Sequence, residues 1–283
     1  MDTNQLIDIR QTSAYAQFLK LQHWQIVKLQ NSQIFLKKLP FLPLYVAKAL
    51  RYQEKLDYKD LKKNWKIIWF QDEPFLIEKK ENNSVYFKIK SKTPLIPTKT
   101  LWLDLQKAEK ELLANLSQKT RYNLKKAWAN FKAEIIFGDK IKSKDFQNFY
   151  DLWLKNKPYN WLFKPNFKEL QNLVTSFGKQ CFFVNIYNQC HSGLDPESIQ
   201  KNNLLASCLI LTSANMAFYW HNASNLEGKK VFAPTLAVWH AILQSKKMGL
   251  KIFDFEGLWD ERLPKINKGW KGFTRFKLGF AKQ

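Results

Sequence analysis

The chain has 283 residues, with 46 Lys and Arg against 24 Asp and Glu, and a formal net charge of +22. Hydrophobic residues make up 45%, including 22 Phe, 11 Trp and 10 Tyr, which excludes a disordered chain despite the charge. No run of about 18 apolar residues is present, which excludes a membrane-spanning helix. So large a basic excess points to an anionic partner, whether nucleic acid, an anionic membrane surface or a phosphate-bearing substrate. A Lys-rich composition supplies part of the excess.

The first glycine is Gly138, so the opening third of the chain is punctuated by proline and polar residues. A short helix is expected at Gln11–Leu21, then strands at Gln25–Leu29 and Gln33–Leu39. The Pro-punctuated stretch Leu39–Leu44 reads as a loop, and Lys55–Lys63 as a polar helix. Trp65–Phe70, Pro74–Lys79 and Val85–Ile89 are strand-like. Ser91–Lys99, with Pro94 and Pro97, is the best linker. It divides the chain into 1–98 and 99–283.

Beyond it the alternation is clearer. Leu101–Leu105 is a strand and Gln106–Asn115 a helix. Leu116–Phe131 (LSQKTRYNLKKAWANF) is a basic amphipathic helix. Its Leu124, Ala127, Trp128 and Phe131 fall on one side, and Arg121, Lys125 and Lys126 spread over the other. A strand follows at Ala133–Phe137, then helices at Lys144–Leu154 and Asn166–Ser176. Cys181–Tyr187, Leu204–Thr212 and Ala217–His221 read as strands. Pro234–Met248 is a helix with Pro in its first turn and Gly249 at its end. Lys251–Phe255 is the next strand, parallel to its predecessor because a helix intervenes. Phe273–Phe280 alternates and reads as the last strand. The expected fold class is α/β with a mixed sheet. Residues 188–203 (NQCHSGLDPESIQKNN from Asn188) lack periodicity and read as an insertion in a hairpin tip.

Cys181, Cys190 and Cys208 are odd in number and lack CxxC spacing, so they read as reduced thiols. The four His show no ligand spacing, and no metal site is expected. The polar start MDTNQLIDIRQTS lacks an apolar signal core, so the expected location is the cytoplasm. The order of elements after residue 99 is GNAT-like. None of the glycines sits in the [Q/R]xxGx[G/A] turn that cradles CoA pyrophosphate, which disfavours a CoA donor.

Two segments carry a family resemblance. TLWLDLQKAEKELLANLSQKTRYNLKKAWANF resembles the signature of the Fem family of peptidoglycan interpeptide-bridge aminoacyltransferases. AFYWHNASNLEGKKVFAPTLAVWHAILQSKKMGLKIFDFEGLWDERLPKINKGWKGFTRFKLGF resembles that family's closing region, with Ser224, Pro234, Trp239, Gly249, Asp254, Gly257 and the Phe276-Lys277 pair in order. The resemblance implies two GNAT-like domains, 1–98 being the smaller and degenerate one. It implies an aminoacyl-tRNA donor, no resident cofactor, and a UDP- or lipid-linked peptidoglycan precursor whose stem amine is the acceptor. A monomer is expected, with peripheral contact at the inner face of the membrane open to it.

That chemistry needs positioning and charge stabilisation of a tetrahedral intermediate. Lys277 is the candidate oxyanion donor, and Phe276 the candidate stacking partner for the tRNA's terminal adenosine; a core strand residue is the competing role for Phe276. Arg121, Lys125 and Lys126 are candidate phosphate contacts. The family also carries an acceptor-binding Arg with a Tyr four residues on; here Lys157 with Trp161 keeps the spacing but matches neither residue type, and Lys155 with Tyr159 is the other option. Asp254 and Glu256 receive no catalytic part. From Arg262 onward there are seven Lys and Arg and no acidic residue, with Trp270, Phe273 and Phe276 interleaved, a pattern suited to single-stranded RNA. The competing classes are an acyl-CoA N-acyltransferase, a non-catalytic binder of RNA or anionic surfaces, and an aminoacyltransferase acting on protein N-termini.

Overall fold

The computed structural model describes residues 6–155, 166–188 and 204–282. Two mixed sheets organise them. The smaller has strand order β1-β2-β3-β4, made of Gln25–Leu29, Ser32–Lys38, Tyr45–Leu50 and Ile67–Glu73. The first three strands are antiparallel, and β4 joins β3 in parallel. Helix α1 (Ser13–Leu21) precedes this sheet and α2 (Lys59–Asn64) leads into β4. Strand β3 was not expected from the sequence. Its inward residues are Ala47 and Ala49, too small to mark an apolar alternation.

The larger sheet has order β5-β6-β7-β12-β11-β10-β9-β8. Its strands are Ile77–Glu81, Ser84–Phe87, Lys99–Asp104, Phe131–Phe137, Cys181–Asn188, Leu204–Thr212, Met216–Ser224 and Ile252–Gly257, β5 to β12 in chain order. Strand β6 pairs with β7, so pairing runs across residue 98. The β9–β10 pair is antiparallel, and residues 189–203 of the expected insertion lie outside the described residues. The β11–β12 pair is parallel, as the intervening helix implied.

The helices with these strands are α3 (Glu109–Ala114), α4 (Gln118–Trp128), α5 (Ser143–Lys155), α6 (Phe167–Phe177), α7 (Leu226–Lys230), α8 (Ala233–Lys247) and α9 (Lys271–Leu278). Side chains alternate across the sheet. Phe183, Leu209, Leu211 and Phe218 face one core with residues of α1, α5 and α6. Phe182, Val184, Ile210 and Phe253 face a second core with α4 and α8. The small sheet has its own cluster around Ile34, Leu36, Ala47 and Ala49.

The chain's last element is a helix, not the expected strand. The stretch GFTRFKLGF alternates aromatic and polar residues, but Thr274, Lys277, Phe280 and Ala281 are the buried set, which is helical spacing. Helix α4 forms within the expected stretch, with Ser117 as its cap accepting from the Thr120 N–H at 3.2 Å. It ends at Trp128, and Phe131, expected on its apolar side, opens β8 instead. Its Leu124 and Ala127 are buried, whereas Trp128 is half exposed and stacks on His240 at 4.8 Å.

Candidate active site

Strands β11 and β12 pair only from Met216–Ile252 to Phe218–Asp254, although both run on. Beyond Phe218, β11 continues along β10, and Gly257 of β12 pairs with Thr100 of β7. The sheet therefore opens between the two strands. A cavity of about 690 Å³ lies at the opening, lined from both sides by Trp220, His221, Glu256 and Gly257 and by Arg10 and Lys277.

Lys277 reaches the cavity from α9. It is buried, and its Nζ donates to the carbonyls of Phe255 at 2.7 Å and Gly257 at 2.8 Å. Glu256, between those carbonyls, has a left-handed backbone with φ of 56°. That conformation is unusual for a residue with a side chain. The β12–β7 register shifts at the same place, between Asp254 and Gly257. A Cβ on Gly257 would sit 2.1 Å from the Trp270 ring, so one of the two would have to shift.

Arg10 holds Glu256 by two parallel hydrogen bonds, Nη1 to Oε1 at 3.2 Å and Nη2 to Oε2 at 3.0 Å. The same guanidinium donates to Asp8 Oδ1 at 3.1 Å and lies over the Trp220 ring at 5.2 Å. Asp254 accepts from the Thr100 hydroxyl, from Trp102 Nε1 at 2.8 Å and from the Glu256 N–H at 2.6 Å.

These environments set the charges. Burial pulls the Lys277 ammonium down to about 8, against the opposing pull of Glu256 and Asp254. Burial pushes the Asp254 carboxyl up to about 7, and Glu256 adds to the rise. Burial also opposes the charge on Arg10, but Glu256 and Asp8 outweigh it and raise its pKa. Lys277 is thus a buried cation with two of its three N–H groups committed to carbonyls. Its Nζ also lies 5.3 Å from the Phe273 ring and 5.8 Å from the Tyr219 ring, both in the cavity wall.

A second groove of about 970 Å³ lies where α9 meets the start of α4, lined by Lys119, Trp259, Lys271, Arg275, Phe276 and Lys282 among others. The two helices are joined directly, Ser117 N–H donating to Gly279 O at 2.9 Å. A Cβ on Gly279 would sit 2.4 Å from the Thr120 hydroxyl, so the approach needs glycine. The indole N–H of Trp259 is buried with no hydrogen-bond partner among the described residues, and Lys271 Nζ stands 4.4 Å over its ring.

No protein-family model matches the sequence, and no curated protein matches it. Solved structures do match. FemX superposes with a TM-score of 0.73 at 15% identity, over 96% of this chain and 89% of FemX. The C-terminal domain of a putative lysylphosphatidylglycerol synthetase from Agrobacterium fabrum gives 0.57 at 12% identity, over 97% and 86%. L-PGS from Bacillus licheniformis gives 0.51 at 11% identity, over 98% and 90%.

The chain has the fold of FemX. The two sequence segments that resemble the Fem family meet in it, through the Ser117–Gly279 contact.

Within this FemX-like fold the sequence-derived candidates separate. Lys277 lines the cavity, while its neighbour Phe276 lines the basic groove and packs on Phe280 at 5.4 Å. Phe276 thus combines a half-buried position with access to the groove. Arg121 donates to the carbonyls of Ala114 at 3.0 Å and Leu116 at 2.6 Å, tying α4 to the end of α3. With Lys125 it lines a third depression beside Trp128 and Trp239. Lys126 stands 4.8 Å over the Tyr122 ring. None of these three lines the Lys277 cavity. Lys157, Tyr159 and Trp161 lie outside the described residues.

Arg10 and Trp220 go unmarked in the sequence, Glu256 receives no catalytic part there, and Trp270, marked only as an aromatic of the basic tail, lines the cavity instead. Arg10 is a lone cation in a polar N-terminal stretch, and only tertiary contact brings it to β12. The buried sequence IFDFEG carried one signal: Asp and Glu inside an apolar strand need partners.

Proposed function

We propose that this chain is an aminoacyltransferase that moves an amino acid from aminoacyl-tRNA to the stem-peptide amine of a peptidoglycan precursor. The observation that carries the reading is Lys277, a buried ammonium held by two carbonyls in the wall of the cavity. The resemblance to the Fem family supplies the substrate classes.

The stem amine attacks the ester carbonyl of the aminoacyl-tRNA. A C–N bond forms, the carbonyl becomes a tetrahedral oxyanion, and Lys277 donates to it. The intermediate collapses with loss of the terminal ribose hydroxyl of the tRNA, which leaves with a proton derived from the amine. Because the ester is already activated, fixed charge and position do most of the work. Arg10 and Glu256 act as positioning residues, fixing the carbonyls that aim Lys277.

The basic groove suits the RNA end of the donor. Lys119, Lys271, Arg275 and Lys282 offer phosphate contacts, and Phe276 and Trp259 offer rings beside them. In this reading Lys277 and Phe276, successive on one helix, serve the reacting carbonyl and the RNA end respectively. Residues 1–98 and 99–283 count as two GNAT-like units, the first smaller and degenerate, with β5 and β6 carrying it into the larger sheet.

A CoA donor fits less well. The first turn of α8, where a GNAT enzyme would cradle pyrophosphate, contains Pro234 and so lacks one amide donor. The test is incubation with a mixed pool of charged tRNAs and UDP- or lipid-linked precursor, reading the product by mass. An added aminoacyl residue that does not form when the tRNA pool is digested with ribonuclease beforehand supports the proposal; an unchanged precursor with intact charged tRNA sinks it. Phosphatidylglycerol, the lipid in the name of one structural neighbour, is the competing acceptor in the same assay.

A further inference from the structure

The connection between β2 and β3, residues 39–44, reads LPFLPL. Phe41 at its tip is wholly exposed, at 105%, and Leu42 is exposed at 48%. Phe41 has a left-handed backbone, φ 60°, between Pro40 and Pro43, whose rings restrict the loop. Neither Phe41 nor Leu42 belongs to any of the three cores.

The tip is not alone. Lys38 pairs with Tyr45, and Tyr45 with Ile67, so the start of β4 lies at the same end of the small sheet. There the edge strand exposes Ile68 and Trp69. Trp65 packs on Tyr45 at 4.8 Å, beside an apolar depression of about 310 Å³ lined by Tyr58, Leu61 and Phe70 among others. Scattered single apolar residues on a surface need no explanation, but a cluster on a proline-braced tip does.

Charge selects the partner. From Gln25 to Gln53 there is no Asp or Glu, and from Leu61 to Gln71 there is none either. Lys37, Lys38 and Lys66 are exposed at this end of the sheet, and Lys63 is exposed on α2, which leads into it. Apolar and aromatic side chains beside lysines match the boundary between lipid headgroups and acyl chains in an anionic membrane.

We propose that this end of the small sheet docks on an anionic bilayer, with Phe41 and Leu42 entering the interface and the lysines meeting the headgroups. The contact would hold the protein peripherally at a membrane surface. It stands independently of the reaction proposed above, because vesicle binding is read without turnover.

The experiment is co-sedimentation of the full chain with vesicles of phosphatidylcholine, alone or mixed with phosphatidylglycerol. The protein should partition to the mixed vesicles and little to phosphatidylcholine alone. Phe41→Ser with Leu42→Ser keeps the net charge and should weaken that partitioning on the order of 30-fold. Lys37→Gln with Lys38→Gln should weaken it by a similar factor while leaving the residual binding less salt-sensitive. An unchanged thermal midpoint checks that the variants fold. Equal binding by the Phe41/Leu42 variant and the parent overturns the proposal, since diffuse charge would then account for all of it. A lipid-free dimer that the same variant dissociates also overturns it, by assigning the tip to a second copy.

Discussion

Arg10 clamps Glu256 across 246 residues of sequence, and the clamp fixes the backbone that holds Lys277. Both side chains are largely buried, at 5% and 14% exposure. Arg10→Ala leaves a carboxylate without its partner in a desolvated place. We expect a loss of about 3 kcal/mol or more in urea unfolding. We also expect transfer to slow while the KM for tRNA holds. Arg10→Lys should recover only part of either, because an ammonium cannot make the two-pronged contact. Stability and rate equal to those of the parent would show that the clamp does neither job.

Gly257 tests the same backbone from the other side. Gly257→Ala drives a Cβ into the Trp270 ring and should cost about 1–3 kcal/mol. Trp270→Ala in the same chain removes the clash, so the pair should show a coupling of roughly 1 kcal/mol or more in a double-mutant cycle. Simple additivity would mean that the strand end yields without strain.

The pH dependence of activity and stability should run in opposite directions. The Lys277 ammonium is held at about 8, below its ordinary 10.5. Oxyanion stabilisation needs the charged form, so transfer should fall as pH rises through about 8. Between 8 and 10.5 the unfolded chain binds more protons at this lysine than the folded chain does. Its contribution to stability therefore grows with pH over that window and is lost as pH falls through 8. Lys277→Met should flatten that part of the stability curve, measured by urea unfolding across the window. A transfer rate that keeps climbing above the lysine's pKa would instead make the neutral amine the active form.

The basic groove should govern the donor alone. Lys271→Glu with Arg275→Glu reverses two exposed charges beside Phe276 and should raise the KM for aminoacyl-tRNA roughly tenfold or more. The dependence of that KM on salt should become shallower, and the KM for precursor should not move. Changes confined to precursor would exchange the roles of groove and cavity.

Much of the larger sheet was legible because its strands are long and apolar and its helices carry clear punctuation. Pro234 and Gly249 bracket α8 as expected, and Ser117 caps α4. Alternation misled at Phe273–Phe280, where eight residues fit both periods and burial of Thr274 and Lys277 decides for a helix. Strand β3 was hidden because alanine gives no apolar signal. Lys277 could be singled out from a motif resemblance, but its two carbonyl partners could not. They depend on a left-handed Glu256, and nothing local in Phe-Glu-Gly marks that conformation. Arg10 was equally hidden, since its role exists only through contact with a strand near the other end of the chain.

The most direct test is the single-turnover rate of aminoacyl transfer for Lys277→Ala beside the parent, with aminoacyl-tRNA and precursor both saturating. Removal of one oxyanion donor should lower that rate about 100- to 1000-fold. A rate within a few-fold of the parent, with product still formed from aminoacyl-tRNA, would contradict the place given to Lys277.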